Sequence, residues 1–349
     1  VLYGQWDSLP WPGRTLQRLI KQMRPDETWP PRLQLLMERS PGGAKAEEPP
    51  PLDPGHLLLV ASRREIVPAL PTRVAGPAVW PAEWRLVHVN YAQGCCEQDQ
   101  KDNAASALAV AGANESHSLN ASSLSPDFLR GNHELLTYRR RLTMKAPSGA
   151  VGYFLWKPRI MLDQLLDPRL PWETSVVSFT DAGTVFHKDP KPHLAAHLLA
   201  GSDCVAVEAP MSELQFTKRD ALILMWADVP SITDSRQLMG YWLTCRKTPR
   251  AVEFLRYYLQ SCETERLINE SVSTLDNEHF NFIVHNDEQS MLSVAFKLFG
   301  FSALGNSLGV RLLYPKRHFR KQGMVWEAMA EGRRLPTLSE YTKVADAPG

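Results

Sequence analysis

The 349-residue chain has no run of about 18 apolar residues, so none of it reads as a transmembrane helix. It has no excess of one charge. Its 39 basic and 38 acidic side chains leave a net charge of +1, so nothing in the charge balance suggests a nucleic-acid partner or a polybasic membrane surface. Cysteine is sparse: Cys95, Cys96, Cys204, Cys245 and Cys262, with no Cys-x-x-Cys pair, so a structural zinc site is not expected. An odd count leaves at least one thiol unpaired within the chain, and spacing does not say which.

What is present is ordinary for a globular protein. Apolar residues make up 44% and charged residues 22%. The length holds one large domain or two smaller ones. The 27 prolines are unevenly spread. Residues 1–80 are expected to form an irregular stem or appended segment, residues 81–325 a catalytic domain, and residues 326–349 a tail. Within the stem, Arg14–Arg24 has helical spacing, residues 40–55 read as a Pro-rich linker, and Leu57–Val60 as a strand. Three Asn-x-Ser sequons, at Asn114, Asn120 and Asn269, exceed what chance favours. They point to the Golgi or another secretory-pathway lumen. The chain begins at Val1, and any membrane attachment is expected through an anchor outside this sequence.

A β-run at Trp84–Tyr91, a Gly-Cys-Cys turn and a helix from Asp99 to Val110 predict a first βα unit. In open sheets of such units ligands bind beyond the carboxyl ends of the strands, where Asn90 and Tyr91 fall. An ordinary strand exit explains each of them equally well. Residues 112–149 read as irregular, apart from a helix over Pro126–Arg141 that ends on the basic Arg139–Arg141.

The most informative stretch is 152–183. Gly152-Tyr153-Phe154-Leu155-Trp156-Lys157-Pro158 is an aromatic turn with a lysine at a helix entrance, and Pro158 suits the helix's first turn. Helix N-termini favour anions, and Lys157 adds charge. The uncharged run Val176–Thr180 predicts a central strand, ending on Asp181-Ala182-Gly183. A carboxylate there suits a divalent ion beside substrate phosphates; the plainer reading is a turn cap. Further on, helices are expected over Lys191–Leu199, Asp220–Trp226, Ser235–Leu243 and Thr248–Leu267, with a strand at Cys204–Val207. A last helix opens at Asp287 and is ended by Gly300. Its first turn holds Glu288 and Gln289, where the helix dipole alone favours an acid.

These boxes resemble a family of glycosyltransferase-like proteins. The family shows Gly-Tyr-Trp-x-Trp-Lys-Pro, a strand ending in Asp-Ala-Gly, a Trp/Phe-Thr-Lys-Arg-Asp segment, a Ser-x-Gln step and a late His-Arg-His-Asp-Gln-Ser. The counterparts here are Gly152–Pro158, Asp181–Gly183, Phe216–Asp220, Ser235–Gln237 and His285–Ser290, within about residues 84–312. The family is similar to GT-A-fold, nucleotide-diphospho-sugar transferases. The resemblance therefore implies an α/β fold: a GT-A (Rossmann-like) mixed sheet flanked by helices.

It also implies transfer of a sugar from a UDP- or GDP-linked donor to a hydroxyl of a glycan or glycoprotein acceptor. By the same resemblance Asp181, with His318, would hold a divalent metal, Mn²⁺ by preference. Asn90, Tyr91, Trp156, Lys157, Asp181 and Gln289 would line the donor site, and Glu288 or Asp287 would serve as catalytic carboxylate. Two positions depart from the pattern. Gly183 stands where GT-A enzymes usually have a second aspartate, and Glu288 replaces an aspartate. A catalytically silent GT-A-like binding protein is the alternative. A glycoside hydrolase is disfavoured, because no paired acids fall on neighbouring strand ends.

Overall fold

In the computed structural model the chain is described over residues 76–93, 96–137 and 152–315. Six strands form one mixed sheet: β1 (Arg85–Tyr91), β2 (Glu115–Leu119), β3 (Ser175–Thr180), β5 (Cys204–Ser212), β6 (Arg236–Arg246) and β7 (Ser302–Leu304), in the order β2-β1-β3-β6-β5-β7. β1 runs parallel to both β2 and β3, while β6 is antiparallel to β3 and β5. Two short strands, β4 (Thr184–Phe186) and β8 (Leu313–Pro315), pair separately.

Five longer helices flank the sheet: α1 (Glu97–Ala109), α2 (Trp156–Leu165), α3 (Lys191–Leu199), α4 (Pro249–Glu263) and α5 (Asp287–Leu298). The α/β class and the mixed, helix-flanked sheet thus match the expectation.

Strand alternation divides the interior. Val87, Val89 and Tyr91 of β1, with Val177 and Phe179 of β3, face α2, α4 and α5 in the larger core. Leu86 and Val176 face the opposite way, with Ala107 of α1 and Leu194 and Leu198 of α3. Every residue of β3 is buried, as its uncharged, β-branched run predicts.

On this second face the sheet carries polar groups that bond to one another. His88 bonds Ser116 Oγ through Nδ1 at 2.7 Å and Thr180 Oγ1 through Nε2 at 2.8 Å. Asn103 of α1 donates to Thr180 Oγ1 and to the Thr184 carbonyl oxygen, both at 2.9 Å. Asn90 donates to Asn103 Oδ1 and to the Gln100 carbonyl oxygen. This network fixes α1 and β4 against the ends of β1 and β3.

Several expected elements differ. Ser235–Leu243 reads as helix but forms the 11-residue strand β6. The strand lies mid-sheet and is buried on both faces, so its apolar run shows no alternation to distinguish it from a buried helix. β2 falls inside a stretch read as irregular. Its sequence, Glu-Ser-His-Ser-Leu, has no β-branched residue, and only pairing with β1 makes it a strand.

The expected Pro126–Arg141 helix is two short ones, Pro126–Gly131 and His133–Thr137. The expected Thr248–Leu267 helix breaks at an extended Thr264. α2 starts at Trp156, so Trp156 and Lys157 lie in its first turn rather than ahead of it. The stem elements, Arg139–Arg141, Cys95, His318 and residues 326–349 lie outside the described residues.

Burial, with the charge of His117 adding to it, holds the His88 imidazole down to about 3, from an ordinary 6.5. A depressed histidine contributes stability that is complete above pH 6.5 and lost as pH falls toward 3. The denaturation midpoint is therefore expected to fall across that window. NMR of the His88 ring should show it neutral at pH 5, and a ring titrating near 6.5 in the folded protein would contradict the network.

Candidate functional site

Two helix starts and one strand end meet at the carboxyl edge of β1 and β3. Before α2 the chain turns through Gly152 (φ 50°) and Phe154 (φ 59°), both left-handed. A Cβ on Gly152 would come within 2.2 Å of the Leu135 carbonyl oxygen, so only glycine fits. Asp287, in the first turn of α5, is also left-handed at φ 42°. These turns place Lys157 and Glu288 opposite Asp181, the residue that follows β3.

The Lys157 ammonium bonds three acceptors: Asp181 Oδ1 at 3.1 Å, Glu288 Oε2 at 3.2 Å and the Gly240 carbonyl oxygen at 3.0 Å. Those three use all the protons a lysine has. Lys157 is 7% exposed and Glu288 2%, whereas the Asp181 side chain keeps 19%. Asp181 is thus the outward face of the triad. The ammonium also lies 5.1–5.9 Å from the ring centres of Phe154, Trp156 and Phe179. Burial alone would lower the lysine, but the charges of Asp181 and Glu288 more than reverse this and raise it. Burial raises Glu288 despite Lys157 beside it.

Tyr258 of α4 donates its hydroxyl to Glu288 Oε1. Burial and the Glu288 charge raise Tyr258 well above its usual range, so it stays a donor. A cavity of about 10 Å³ lies between Lys157, Tyr258 and Glu288, walled by Phe179, Leu243 and Leu292. That is room for about one water.

Gly240 of β6 completes the site. A Cβ there would stand 3.2 Å from Glu288 Oε2 and 3.3 Å from Gln289, so glycine lets strand and helix start approach. Its N–H donates to Gln289 Oε1 at 3.1 Å. Gln289 and Asn286 in turn both donate to Gln237 Oε1 at 2.9 Å. Gln237 donates to the Phe216 carbonyl oxygen, Thr217 Oγ1 and Ser290 Oγ. The Lys218 N–H donates to His285 Nδ1, whose Nε2 bonds the Leu267 carbonyl oxygen.

Of the residues expected from sequence, Lys157, Asp181, Glu288 and Gln289 come together. Trp156 and Tyr91 stack beside them, ring centres 4.0 Å apart, and burial pushes the Tyr91 phenol up to about 12. Asn90 is turned to the opposite face of the sheet, into the His88 network. Asp287 is buried at the start of α5. Tyr258, Gly240 and Gln237 were not among the expected site residues. An isolated glycine in an apolar run signals close backbone approach and marks Gly240. Nothing local marks Tyr258, which reads as one more residue on the apolar face of α4.

Among the described residues, no three His, Cys, Asp or Glu side chains converge where a metal ion could sit. Of the two expected metal ligands, Asp181 is bonded to the Lys157 ammonium and His318 lies outside the described residues.

No family model matches the chain, and no curated protein matches it. Among solved structures, the apo form of mouse xyloside xylosyltransferase 1 is similar over 64% of this chain and 84% of that one, at 8% identity and a TM-score of 0.35. At that score the likeness is too loose to carry an argument.

Removing one partner of a buried ion pair leaves an uncompensated charge and costs about 3–5 kcal/mol. Lys157→Met is expected to lose that much in urea denaturation. Adding Asp181→Asn and Glu288→Gln should recover most of it. A loss under about 1 kcal/mol in the single variant would show that the triad is not the strut described.

Proposed function

We propose that the chain is a nucleotide-sugar-dependent glycosyltransferase of GT-A type, acting on a glycan or glycoprotein hydroxyl. One observation carries this reading. The five sequence boxes on which the family resemblance rests, spread from Gly152 to Ser290, converge through side-chain contacts: Lys157 with Asp181 and Glu288, and Gln237 with Phe216, Asn286 and Ser290. Boxes drawn together at the carboxyl ends of parallel strands lie where open α/β sheets bind ligands.

In this reading the donor lies against Asp181, the half-buried and least enclosed member of the triad, near Trp156, Tyr91 and Gln289. The Lys157 ammonium exchanges one of its three acceptors for a phosphate oxygen and stabilises the leaving diphosphate. The acceptor oxygen bonds the sugar C1 and gives its proton to a carboxylate. The bond from C1 to the diphosphate breaks, and the diphosphate keeps the electron pair. Glu288 is better placed than Asp287 as that base. Burial raises its pKa above the ordinary carboxylate value, which strengthens it as a base, and it already contacts Lys157. Asp181 is bonded to Lys157 and the other expected metal ligand is not described, so no step is routed through an ion. His318 lies outside the described residues.

We place the protein in the secretory-pathway lumen. Supporting this are the buried Cys204–Cys245 disulfide between β5 and β6 and the three sequons. Cys262 stays a buried free thiol.

A catalytically silent binding protein is the second reading. Its support is that all three Lys157 protons are already spent inside a closed triad.

Thermal melts with UDP, GDP and their sugar conjugates test the proposal. A ligand at 100 times its Kd adds about 2.7 kcal/mol. Stabilisation by one nucleotide, surviving EDTA and lost in Asp181→Asn, is expected. No stabilisation by any nucleotide would remove the transferase reading, and stabilisation only with Mn²⁺ would restore the metal. Slow hydrolysis of one donor separates an enzyme from a silent binder.

A further inference from the structure

The three sequons are not absorbed by the site, and their asparagines share a geometry that sets them apart from four of the other seven asparagines. Asn90, Asn103, Asn132 and Asn286 each spend the amide nitrogen inside the fold. Asn103 Nδ2 bonds Thr180 and Thr184, Asn132 Nδ2 bonds the Phe128 carbonyl oxygen and Glu263, and Asn90 and Asn286 are tied as described above.

The sequon asparagines do the reverse. Asn114 Oδ1 accepts the Leu86 N–H at 2.8 Å. Asn120 Oδ1 accepts from Ser122 N and Ser122 Oγ at 2.9 and 2.7 Å. Asn269 Oδ1 accepts from Ser271 N and Oγ at 3.1 and 2.5 Å, and from Lys218 Nζ at 2.7 Å. In each the carbonyl is anchored, while Nδ2 donates to no group among the described residues. Asn114 and Asn120 are exposed and Asn269 half-buried.

We propose that Asn114, Asn120 and Asn269 carry N-linked glycans. A glycan hangs on Nδ2 and keeps the carbonyl oxygen as an acceptor, so all three anchoring contacts survive the modification. The inference rests on the luminal placement and not on transferase activity. The co-reactant is a lipid-diphosphate-linked oligosaccharide of that compartment. The bond from Nδ2 to the sugar C1 forms, and the C1–O bond to the diphosphate breaks. The diphosphate keeps the electron pair, and the amide loses one proton to a base of the transferring enzyme.

The placement has a purpose in the fold. Asn114 and Asn120 flank β2, the outermost strand of the sheet among the described residues. Six residues of extended chain put them about 20 Å apart. Glycans at both ends cover an edge that otherwise offers unpaired backbone groups to another chain. Ser116 Oγ is turned inward to His88, so Asn114 is modified before β2 docks on β1.

The test secretes the whole chain from eukaryotic cells behind a cleavable leader, then removes glycans with peptide N-glycanase in ¹⁸O water. Mass spectrometry is expected to find ¹⁸O-labelled aspartate at 114, 120 and 269. Ser116→Ala, Ser122→Ala and Ser271→Ala should each remove one step of gel mobility without touching the asparagine. Because Ser116→Ala also breaks the His88 contact, the labelling of the unaltered protein decides that position. Unlabelled asparagine at one position in the secreted protein overturns that site, and at all three overturns the proposal.

Discussion

The site and much of the core depend on one buried ammonium. Lys157 ties the end of β3, the backbone of β6 and the start of α5 at three points within 3.2 Å. A charge so buried is tolerable only if opposite charge and hydrogen bonds surround it. Two carboxylates and a carbonyl do so, and three aromatic rings close the shell. The left-handed turns at Phe154 and Asp287 follow from this demand, since two helix starts must be aimed at one point. Strain of that kind persists only where surrounding structure over-determines it, and it collects at functional sites.

The two faces of the sheet solve different problems. Toward α2, α4 and α5 the strands are apolar, and buried charge is paired: the triad at one point, and Lys297 of α5 with Glu213 at another. Toward α1 the sheet carries His88, Thr180 and Asn90, which bond to Ser116, Asn103 and one another, with the buried Asn90 Oδ1 left without a partner among the described residues. A buried polar network is tolerable when its members have partners, and it then fixes one arrangement of neighbouring elements. Here it sets where β4 leaves β3, and so where the backbone turns at Asp181 just before the site.

The same closure that makes the triad a good strut makes it a guarded site. Asp181 is open to solvent, but Lys157 and Glu288 are not. Ligand binding therefore has to trade an internal contact for an external one, and the depth of that trade separates a transferase from a binding protein. The Cys204–Cys245 link holds β5 to β6 at the far end of the strand that carries Gly240.

Much of this was legible in residues alone. The uncharged run of β3, the Pro158 helix start, and the Asp287 helix with its Gly300 stop all follow from local rules of burial, capping and backbone freedom. So does the placement of Asp181 at a strand end. What local rules could not reach were features whose cause is a neighbour distant in sequence. β6 is a strand because β3 and β5 lie on either side of it. β2 is a strand only because β1 offers it a ladder. Tyr258 belongs to the site because α4 packs beside α5. The sequence by itself determined which residues were candidates for the site, among them a lysine, a tryptophan, three acids and a glutamine in recognisable boxes. Only the tertiary structure decided that the lysine sits between the acids rather than facing outward. Distance and burial set that outcome, and neither is written in the spacing of residues along the chain.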